Sequence, residues 1–146
     1  MLTITFGFTG GTSRTISLLE TQSASSQTLA IQTALDAVAG HGGGFVALSG
    51  GTFTVTGTGK AADGVLRVGS ETVLSGAGIG ATVIKLAAGS STTTDIIRTG
   101  SGGTKPGGSI KTASNVTIEN LSIDGNKIIS KGFDISAAGA SNFIFA

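Results

Sequence analysis

The stretch that decides the fold lies between His41 and Ser90. Residues 41–57 read HGGGFVALSGGTFTVTG, and residues 64–90 read GVLRVGSETVLSGAGIGATVIKLAAGS. Short apolar or alternating runs, each closed by glycine, serine or threonine, are typical of β-strands joined by turns. None of these runs leaves room for a helix between strands, so the pattern predicts an all-β fold that winds or stacks.

A repeat of apolar positions supports stacked coils. Taking one strand per turn, Val73, Ile96, Ile118 and Phe143 lie 23, 22 and 25 residues apart. A spacing in the low twenties predicts coils that bury their apolar faces on one another over residues 45–146. Residues 100–114 predict a glycine-rich loop that leaves one coil. A jelly roll or a sandwich also supplies strands this often and remains an alternative.

One helix is predicted before these strands, over residues 27–39. Ser25 or Ser26 is the expected N-cap, and Gly40 is the expected residue after the last turn. The helical spacing predicts a buried apolar face of Leu29, Ala30, Ala34, Leu35 and Val38 and an exposed polar face of Gln32, Thr33 and Asp36. We expect this helix to cap the open end of the stack, because the first rung otherwise leaves backbone groups unpaired.

The segment before the helix is less regular. Residues 1–8 alternate loosely and predict a strand, which is followed by a turn at Gly10-Gly11. Residues 12–26 are polar and weakly patterned, so no element is predicted there.

Composition excludes several functional classes. The 146 residues match one domain, and we expect residues 1–146 to form a single unit. A net charge of +1 and 5% aromatic residues exclude a strong electrostatic case for nucleic acid. The chain lacks cysteine, so it has neither disulfides nor a thiolate metal site. No apolar run approaches the ~20 residues of a membrane helix.

Three blocks in order carry a family resemblance. They are AIQTALDAVAGHGGGFVALSGGTFTVTG at 30–57, GVLRVGS with VLSGAGIGATVIKLA at 64–87, and NVTIENLSIDGN at 115–126. Together they resemble the N-terminal part of the pectate-lyase superfamily, and most of all the catalytic module of mannuronan C-5-epimerases. The resemblance implies a right-handed parallel β-helix with an N-terminal capping helix. It also implies a protein that acts on uronate polymers such as alginate, as an epimerase or a lyase.

The resemblance also implies what this chain lacks. Epimerases of the family carry a tyrosine, aspartate and histidine cluster on later coils, whereas this sequence has no tyrosine and one histidine. We therefore expect the catalytic cluster beyond Ala146, and assign no catalytic residue and no metal ligand within the chain. Calcium is a possible cofactor by resemblance alone. The alternative is a non-catalytic β-helix that binds polymer or stacks end to end through its C-terminal coil.

The block DGNKIISKGFD at 124–134 holds three candidates for contact with an anionic polysaccharide. Lys127 and Lys131 are placed to meet carboxylates, and Lys131-Gly-Phe resembles a substrate-lining stretch of the epimerases. Asp134 follows a strand-like phenylalanine and is either a groove carboxylate or an edge residue. The alternative for both lysines is a solvated surface position.

Three further basic residues interrupt apolar strands at outward positions. Arg67, Lys85 and Arg98 would form a basic ladder along one sheet if the coils stack in register. The alternative is an ordinary solvent-facing surface. The acidic residues Asp63, Glu71 and Asp95 are scattered along the chain and show no paired spacing.

Other polar residues have structural interpretations. Asp124 and Asn126 predict a turn, and His41 is expected to interact with the helix C-terminus. Asn115 and Asn120 are expected to stack with asparagines on neighbouring coils.

The sequence gives little information on localisation. The N-terminus, MLTITFGFTGGTSR, lacks the basic and apolar segments of a cleavable signal. The absence of cysteine suits an extracellular protein or one exported unfolded, but many cytosolic domains share it. The resemblance favours a protein outside the cell. We expect an extracellular or cell-surface protein without such a signal.

Overall fold

The computed structural model describes residues 1–57, 64–90, 95–99, 113–126, 133–134 and 141–145. Within these ranges the chain forms one helix, α1 (Ala24–Gly40), and twelve strands. The strands are β1 (Leu2–Phe8), β2 (Ser13–Leu18), β3 (Gly44–Leu48), β4 (Gly51–Val55), β5 (Leu66–Val68), β6 (Thr72–Ser75), β7 (Thr82–Leu86), β8 (Ile97–Thr99), β9 (Ser114–Glu119), β10 (Ser122–Asp124), β11 (Phe133–Asp134) and β12 (Ser141–Phe145).

The strands build three sheets, and from β3 onward they visit these sheets in turn. The first sheet has the order β12-β9-β6-β3-β1-β2, the second β10-β7-β4 and the third β11-β8-β5. From β3 to β12, each strand is parallel to the strand three places further along the chain. The predicted all-β fold with parallel strands and one helix is therefore confirmed.

The register of the coils differs from the one that the sequence predicted. In the first sheet, Val46, Leu74, Ile118 and Phe145 align across four strands, at intervals of 28, 44 and 27 residues. Val73 instead lies beside Thr117, and Ile96 directly precedes β8 of the third sheet. The predicted spacing mixed two sheets and two faces, because a shift of one residue along a strand exchanges its inner and outer side chains.

The inward-facing rows form one continuous core. In each sheet, a pair of fully buried residues is in register: Val46 and Leu74, Phe53 and Ile84, and Leu66 and Ile97. Ile31, Leu35 and Val38 of α1 belong to the same cluster. Each such side chain stabilises the fold by about 1.5–3 kcal/mol relative to exposure, so burial is the main source of cohesion between coils.

The N-terminal segment is a hairpin, of which the sequence predicted only half. β1 pairs antiparallel with both β2 and β3, and its boundaries match the predicted strand. β2 was not predicted, because only Leu18 of its six residues is buried. Since β2 lies at the edge of the sheet, most of its side chains face water and its sequence lacks a regular apolar alternation.

Helix α1 is longer than predicted and begins three residues earlier. Ser23 is the N-cap, and its Oγ accepts a hydrogen bond from the Ser26 backbone N–H at 3.1 Å. The predicted caps Ser25 and Ser26 are therefore wrong. Gly40 is the last helical residue and His41 is the C-cap.

Two predictions about the faces of α1 are also wrong. Leu29 is 68% exposed, while Gln32 is 8% exposed and Gln27 is 1% exposed. Helical spacing located the face that packs on the core, but a second buried face contacts strand edges, where amide side chains replace apolar ones.

That second face supplies hydrogen bonds to the two terminal strands, β4 and β5. Gln27 Oε1 accepts from the Thr54 backbone N–H, and Thr28 Oγ1 accepts from the Thr56 backbone N–H, both at 2.9 Å. Gln32 Oε1 accepts from the Arg67 N–H at 2.9 Å, and Gln32 Nε2 donates to the Arg67 carbonyl at 3.1 Å. The amide of Gln32 thus forms the pair of hydrogen bonds that a neighbouring strand would form.

The predicted loop at 100–114 lies outside the described residues, except for Ala113 and for Ser114, which begins β9. No helix in the described part of the chain is long and apolar enough to cross a membrane.

Replacing Gln32 tests the hydrogen bonding between α1 and β5. Gln32→Ala leaves a peptide N–H and a carbonyl of Arg67 without these partners, so the free energy of unfolding should fall by about 2–4 kcal/mol. Urea denaturation measures the change as a lower midpoint with an unchanged slope. The control is Thr33→Ala on the exposed face, expected to shift stability by less than about 0.5 kcal/mol. Equal effects of the two substitutions would contradict the pairing.

A second prediction concerns the close approach of successive coils at Gly76. A Cβ atom there would lie less than 3.0 Å from the Asn120 carbonyl oxygen and from Thr82 Cβ. Gly76→Ala should therefore destabilise the protein by about 1–3 kcal/mol, because the backbone must shift. Gly40→Ala is the matched control, since a Cβ at Gly40 meets nothing within 4 Å. Thermal denaturation of both variants compares the two positions directly.

Candidate functional site

The predicted basic ladder is only partly formed. Arg67 on β5 and Arg98 on β8 are in register on neighbouring strands of the third sheet. Lys85 lies on β7 of the second sheet, so the prediction of a single ladder is wrong for this residue. One outward position per strand does not determine which of three sheets the strand joins, and sequence spacing therefore grouped the three residues incorrectly.

Arg98 forms an ion pair that is almost buried. Its guanidinium Nη2 donates to Asp95 Oδ2, and the two side chains are 12% and 7% exposed. The Asp95 carbonyl also accepts from the Val65 backbone N–H at 2.8 Å. Asp95, which the sequence left unassigned, therefore holds Arg98 against the sheet and joins two successive coils.

Lys85 lies beside Asp124 on the neighbouring strand of the second sheet. Lys85 Nζ is 3.8 Å from Asp124 Oδ2, and the two side chains are 41% and 49% exposed. A pair this exposed contributes little to stability. Asp124 Oδ1 also accepts from the Asn126 backbone N–H at 2.7 Å, so the predicted turn is confirmed.

The remaining candidates of this block are described only in part. Asp134 on β11 is in register with Arg98, which extends the row Arg67–Arg98 by one strand. Lys127 and Lys131 lie outside the described residues.

Asn115 is part of a column at the corner before the first sheet. Gly43, Glu71 and Asn115 all have positive φ angles, of 114°, 58° and 55°. Gly44 N–H donates to the Glu71 carbonyl, and Glu71 N–H donates to the Ser114 carbonyl, both at 3.0 Å. Asn115 Nδ2 donates to Glu71 Oε1. On the preceding coil Asn115 therefore meets a glutamate and not an asparagine. On the following coil Ser141 and Phe143 pair with Ser114 and Val116, so Asn142 lies at the level of Asn115 and the expected stack stays a prediction there.

Asn120 likewise lies above no asparagine of the preceding coil. Its carbonyl accepts from the Gly78 N–H at 2.9 Å, and its φ angle is 57°. Both asparagines occupy left-handed corners, a conformation that asparagine tolerates better than most residues.

His41 has the structural role that the sequence predicted. Its Nδ1 is 2.9 Å from the Ala37 carbonyl in the last turn of α1. Its ring stacks on Phe8 with a centroid distance of 3.9 Å and an interplanar angle of 6°. These contacts tie the end of the helix to the hairpin.

Nothing in the sequence indicates the cleft that lies between α1 and the strand ends. The cleft has a volume of about 400 Å³. It is lined by Ser25, Thr28 and Leu29 of the helix and by Thr56, Val65 and Arg67 of the β segments, among others. The alternation of buried and exposed residues places Arg67 on the outer face of β5. The concave surface beside it arises only because α1 packs across β4 and β5.

In the described ranges, no group of three acidic, histidine or cysteine side chains is arranged to hold a metal ion.

The sequence comparison finds relatives that are named as mannuronan epimerases and as an alginate lyase. Over 105 residues the chain is 37% identical to the mannuronan C5-epimerase AlgE3 of Azotobacter vinelandii, a match that covers 71% of this chain and 5% of that protein. Over 104 residues it is 39% identical to alginate lyase 7 of the same organism, covering 70% and 11%. No protein-family profile matches the chain.

The fold comparison gives the same answer. The AlgE6 A-module of A. vinelandii superposes with a TM-score of 0.60 at 33% identity, covering 80% of this chain and 28% of that one. The AlgE4 A-module gives the same score and identity, with 29% of that chain covered. This chain is homologous to mannuronan C-5-epimerase A-modules.

Homology to the epimerase A-modules confirms the family resemblance and the parallel-strand architecture. The chain spans 5% and 10% of the length of the first two curated epimerases and under a third of the two A-modules. The activities in the names of these relatives are therefore properties of proteins much longer than this chain.

The ion pair between Arg98 and Asp95 can be tested by substitution. Asp95→Asn removes the negative charge beside Arg98 and should destabilise the protein by about 3 kcal/mol, because the guanidinium stays almost buried. Asp36→Asn is the control, since the Asp36 carboxylate is exposed and accepts from the Gln32 amide. Thermal denaturation should show a clear loss for the first variant and under about 1 kcal/mol for the second. A similar loss in both would rule out a structural role for the pair.

Proposed function

We propose that this chain is a portion of a polysaccharide-modifying β-helix protein that acts on uronate polymers such as alginate. The observation that carries the proposal is the 37–39% identity to several mannuronan epimerases and an alginate lyase over about 70% of the chain. The matching A-module structures support the same assignment at the level of the fold.

The proposed architecture is a right-handed parallel β-helix in a single domain, residues 1–146, whose coils occupy residues 45–146. Helix α1 caps its N-terminal end. The hydrogen bonds from Gln27, Thr28 and Gln32 to the edges of β4 and β5 support the cap. The successive visits of the chain to three sheets support the winding.

The polymer is proposed to contact five basic residues and one acidic residue. Arg67, Lys85, Arg98, Lys127, Lys131 and Asp134 are the assigned residues. The register supports this to the extent that it places Arg67 and Arg98 side by side on neighbouring strands about 4.8 Å apart, with the charge of Arg98 balanced by Asp95. Charged hydrogen bonds from guanidinium groups suit sugar carboxylates.

Residues 1–146 are proposed to be incomplete as a catalyst. Exchange of a proton at C-5 needs a base and an acid on opposite faces of the sugar and a cation at the carboxylate. The sequence has no tyrosine, and the ring of its one histidine, His41, stacks on Phe8. The described carboxylates of Asp95 and Asp124 are paired with Arg98 and Lys85.

A second candidate is a non-catalytic β-helix that binds polymer or assembles end to end. The structural engagement of His41 and Asp95 favours it, since neither side chain stands ready for proton transfer. For either candidate we propose an anionic polysaccharide as partner, with an extracellular or cell-surface location.

The proposed function predicts binding without turnover. Polymannuronate should bind the chain, and binding should weaken as salt rises, because the contacts are partly exposed charges. A neutral mannan of similar length should bind at least about tenfold more weakly, as expected for lost charged hydrogen bonds. Calorimetry at two salt concentrations, with and without calcium, measures both effects.

Proton NMR of the incubated polymer completes the test. New guluronate signals would show epimerisation and unsaturated end groups would show lyase activity; either would contradict the proposed incompleteness. Equal affinity for polymannuronate and mannan would contradict the uronate specificity. Sedimentation of the same sample separates the candidates, because end-to-end assembly requires species larger than the monomer.

A further inference from the structure

The first sheet ends in an open edge at the N-terminal end of the stack. The strands that end the three sheets there are β2, β4 and β5. Side chains of α1 form hydrogen bonds with the backbone of β4 and of β5. By contrast, within the described residues the backbone of β2 has no partner other than β1. A strand with one unpaired side is a template for pairing with a further strand.

The direction of the unpaired peptide groups follows from the contacts of β1. The Thr3 N–H donates to Ser49 Oγ at 2.9 Å, and the Thr3 carbonyl accepts from the Ser49 N–H at 3.0 Å, so both groups face β3. Peptide groups alternate in direction along an antiparallel strand, so those of Ile4 face β2, where Ile16 is the partner. On β2 the intervening residues therefore face the free side, and all of them are exposed. They are Ser13, Thr15 and Ser17.

β2 lacks the features that usually protect an edge strand. Its sequence, SRTISL, contains neither proline nor lysine, and its one charged residue is Arg14. Its ladder with β1 runs over six residue pairs without a bulge. Met1 and Leu19 flank the last pair of this ladder, Leu2 and Leu18, and are 81% and 57% exposed. The edge is therefore regular, weakly charged and bordered by apolar surface, which favours pairing with a further strand.

The side chains of β2 favour one register for pairing with another copy of the same strand. A two-fold axis at Ile16 brings the two Ile16 side chains together on the core face, each beside Ile4 of its own chain. An axis at Thr15 instead makes the two Arg14 side chains diagonal neighbours, roughly 7–8 Å apart, where like charges repel. The axis at Ile16 keeps the two Arg14 residues further apart and sets each opposite a leucine.

An axis at Ser17 is excluded by the turn that follows β2. That register requires the peptide groups of Leu19 to pair with Thr15 of the second copy. The Leu19 N–H already donates to Gln22 Oε1 at 2.8 Å, and the Leu19 carbonyl accepts from the Gln22 N–H at 3.1 Å. The strand therefore ends at Leu18, and the axis at Ile16 is the register that its residues can fill.

We propose that two copies of this chain pair through β2, antiparallel and with the two-fold axis at Ile16. Thr15 of each copy then lies opposite Ser17 of the other, and each of these pairs exchanges both of its hydrogen bonds. The two first sheets become one continuous sheet. A single pair of short strands buries less than the ~1,200 Å² of a standard interface, so we expect a weak dimer with a Kd of about 10 µM to 1 mM.

Sedimentation equilibrium over a concentration range that spans this Kd tests the pairing. The Thr15 N–H faces the free side, so Thr15→Pro removes a donor that the hairpin itself does not use. Because each dimer loses two hydrogen bonds, Thr15→Pro should raise the dimer Kd at least about tenfold. Thr15→Ala is the matched control, since it keeps the N–H and should change the Kd by less than about threefold.

Cysteine cross-linking tests the register and does not depend on the proline variant. The sequence has no cysteine, so one engineered cysteine pairs only with its counterpart in a second copy. Ile16→Cys should form a covalent dimer under mild oxidation, because opposite residues that are not hydrogen-bonded to each other have Cα atoms about 4.5 Å apart, within disulfide range. Ser13→Cys is the control on the same strand. The two Ser13 positions lie six residues apart along the ladder, about 20 Å, and should not cross-link.

The outcomes separate this inference from the proposed function, on which it does not rest. A chain that stays monomeric near 1 mM, or a Kd that Thr15→Pro leaves unchanged, would overturn the inference even if polymannuronate binds. Faster cross-linking of Thr15→Cys than of Ile16→Cys would also overturn it, because the register is part of it. A dimer that Thr15→Pro dissociates supports it whether or not polymer binds. Two-fold pairing closes at two copies, so end-to-end assembly is recognised by larger species that persist in Thr15→Pro.

Discussion

The structure depends on satisfying the backbone at the edges of β4 and β5. These strands are the terminal members of the second and third sheets, and an unpaired peptide group that is buried costs about 1–3 kcal/mol. Gln27, Thr28 and Gln32 supply the missing partners from one face of a helix. The opposite requirement, burial of apolar surface, is met by Ile31 and Leu35 of the same helix. One helix therefore serves two surfaces with different chemistry.

The same arrangement creates the features of functional interest. Gln32 forms hydrogen bonds with both the N–H and the carbonyl of Arg67, so the backbone that carries the Arg67 side chain is held in place. Because α1 crosses the ends of β4 and β5, its first two turns and Arg67 enclose a cleft. The parallel register then sets Arg98 next to Arg67 on the following coil. Structural support and candidate binding chemistry share the same few residues in this region.

Turn chemistry links the coils at the corners. The column of Gly43, Glu71 and Asn115 keeps the chain in a left-handed conformation at equivalent points. In this conformation Glu71 and Asn115 are each less favourable than glycine by roughly 1 kcal/mol. The hydrogen bond from Asn115 to Glu71 offsets part of that cost.

The sequence by itself determined most of the local elements, with β2 the exception, and the family resemblance. Alternation around Phe53, Leu66 and Ile84 specified strands, because one face of each is buried, and the ordered glycine-closed blocks identified the relatives. It did not determine which sheet received Lys85, that Gln32 is buried, that Asp95 holds Arg98, or that a cleft lies beside Arg67. Gln32 and Arg67 are 35 positions apart, and even the pair Asp95 and Arg98, three positions apart, was not recognisable from spacing alone. Local patterns report which face of a segment is apolar, whereas only the packed structure decides what that face meets.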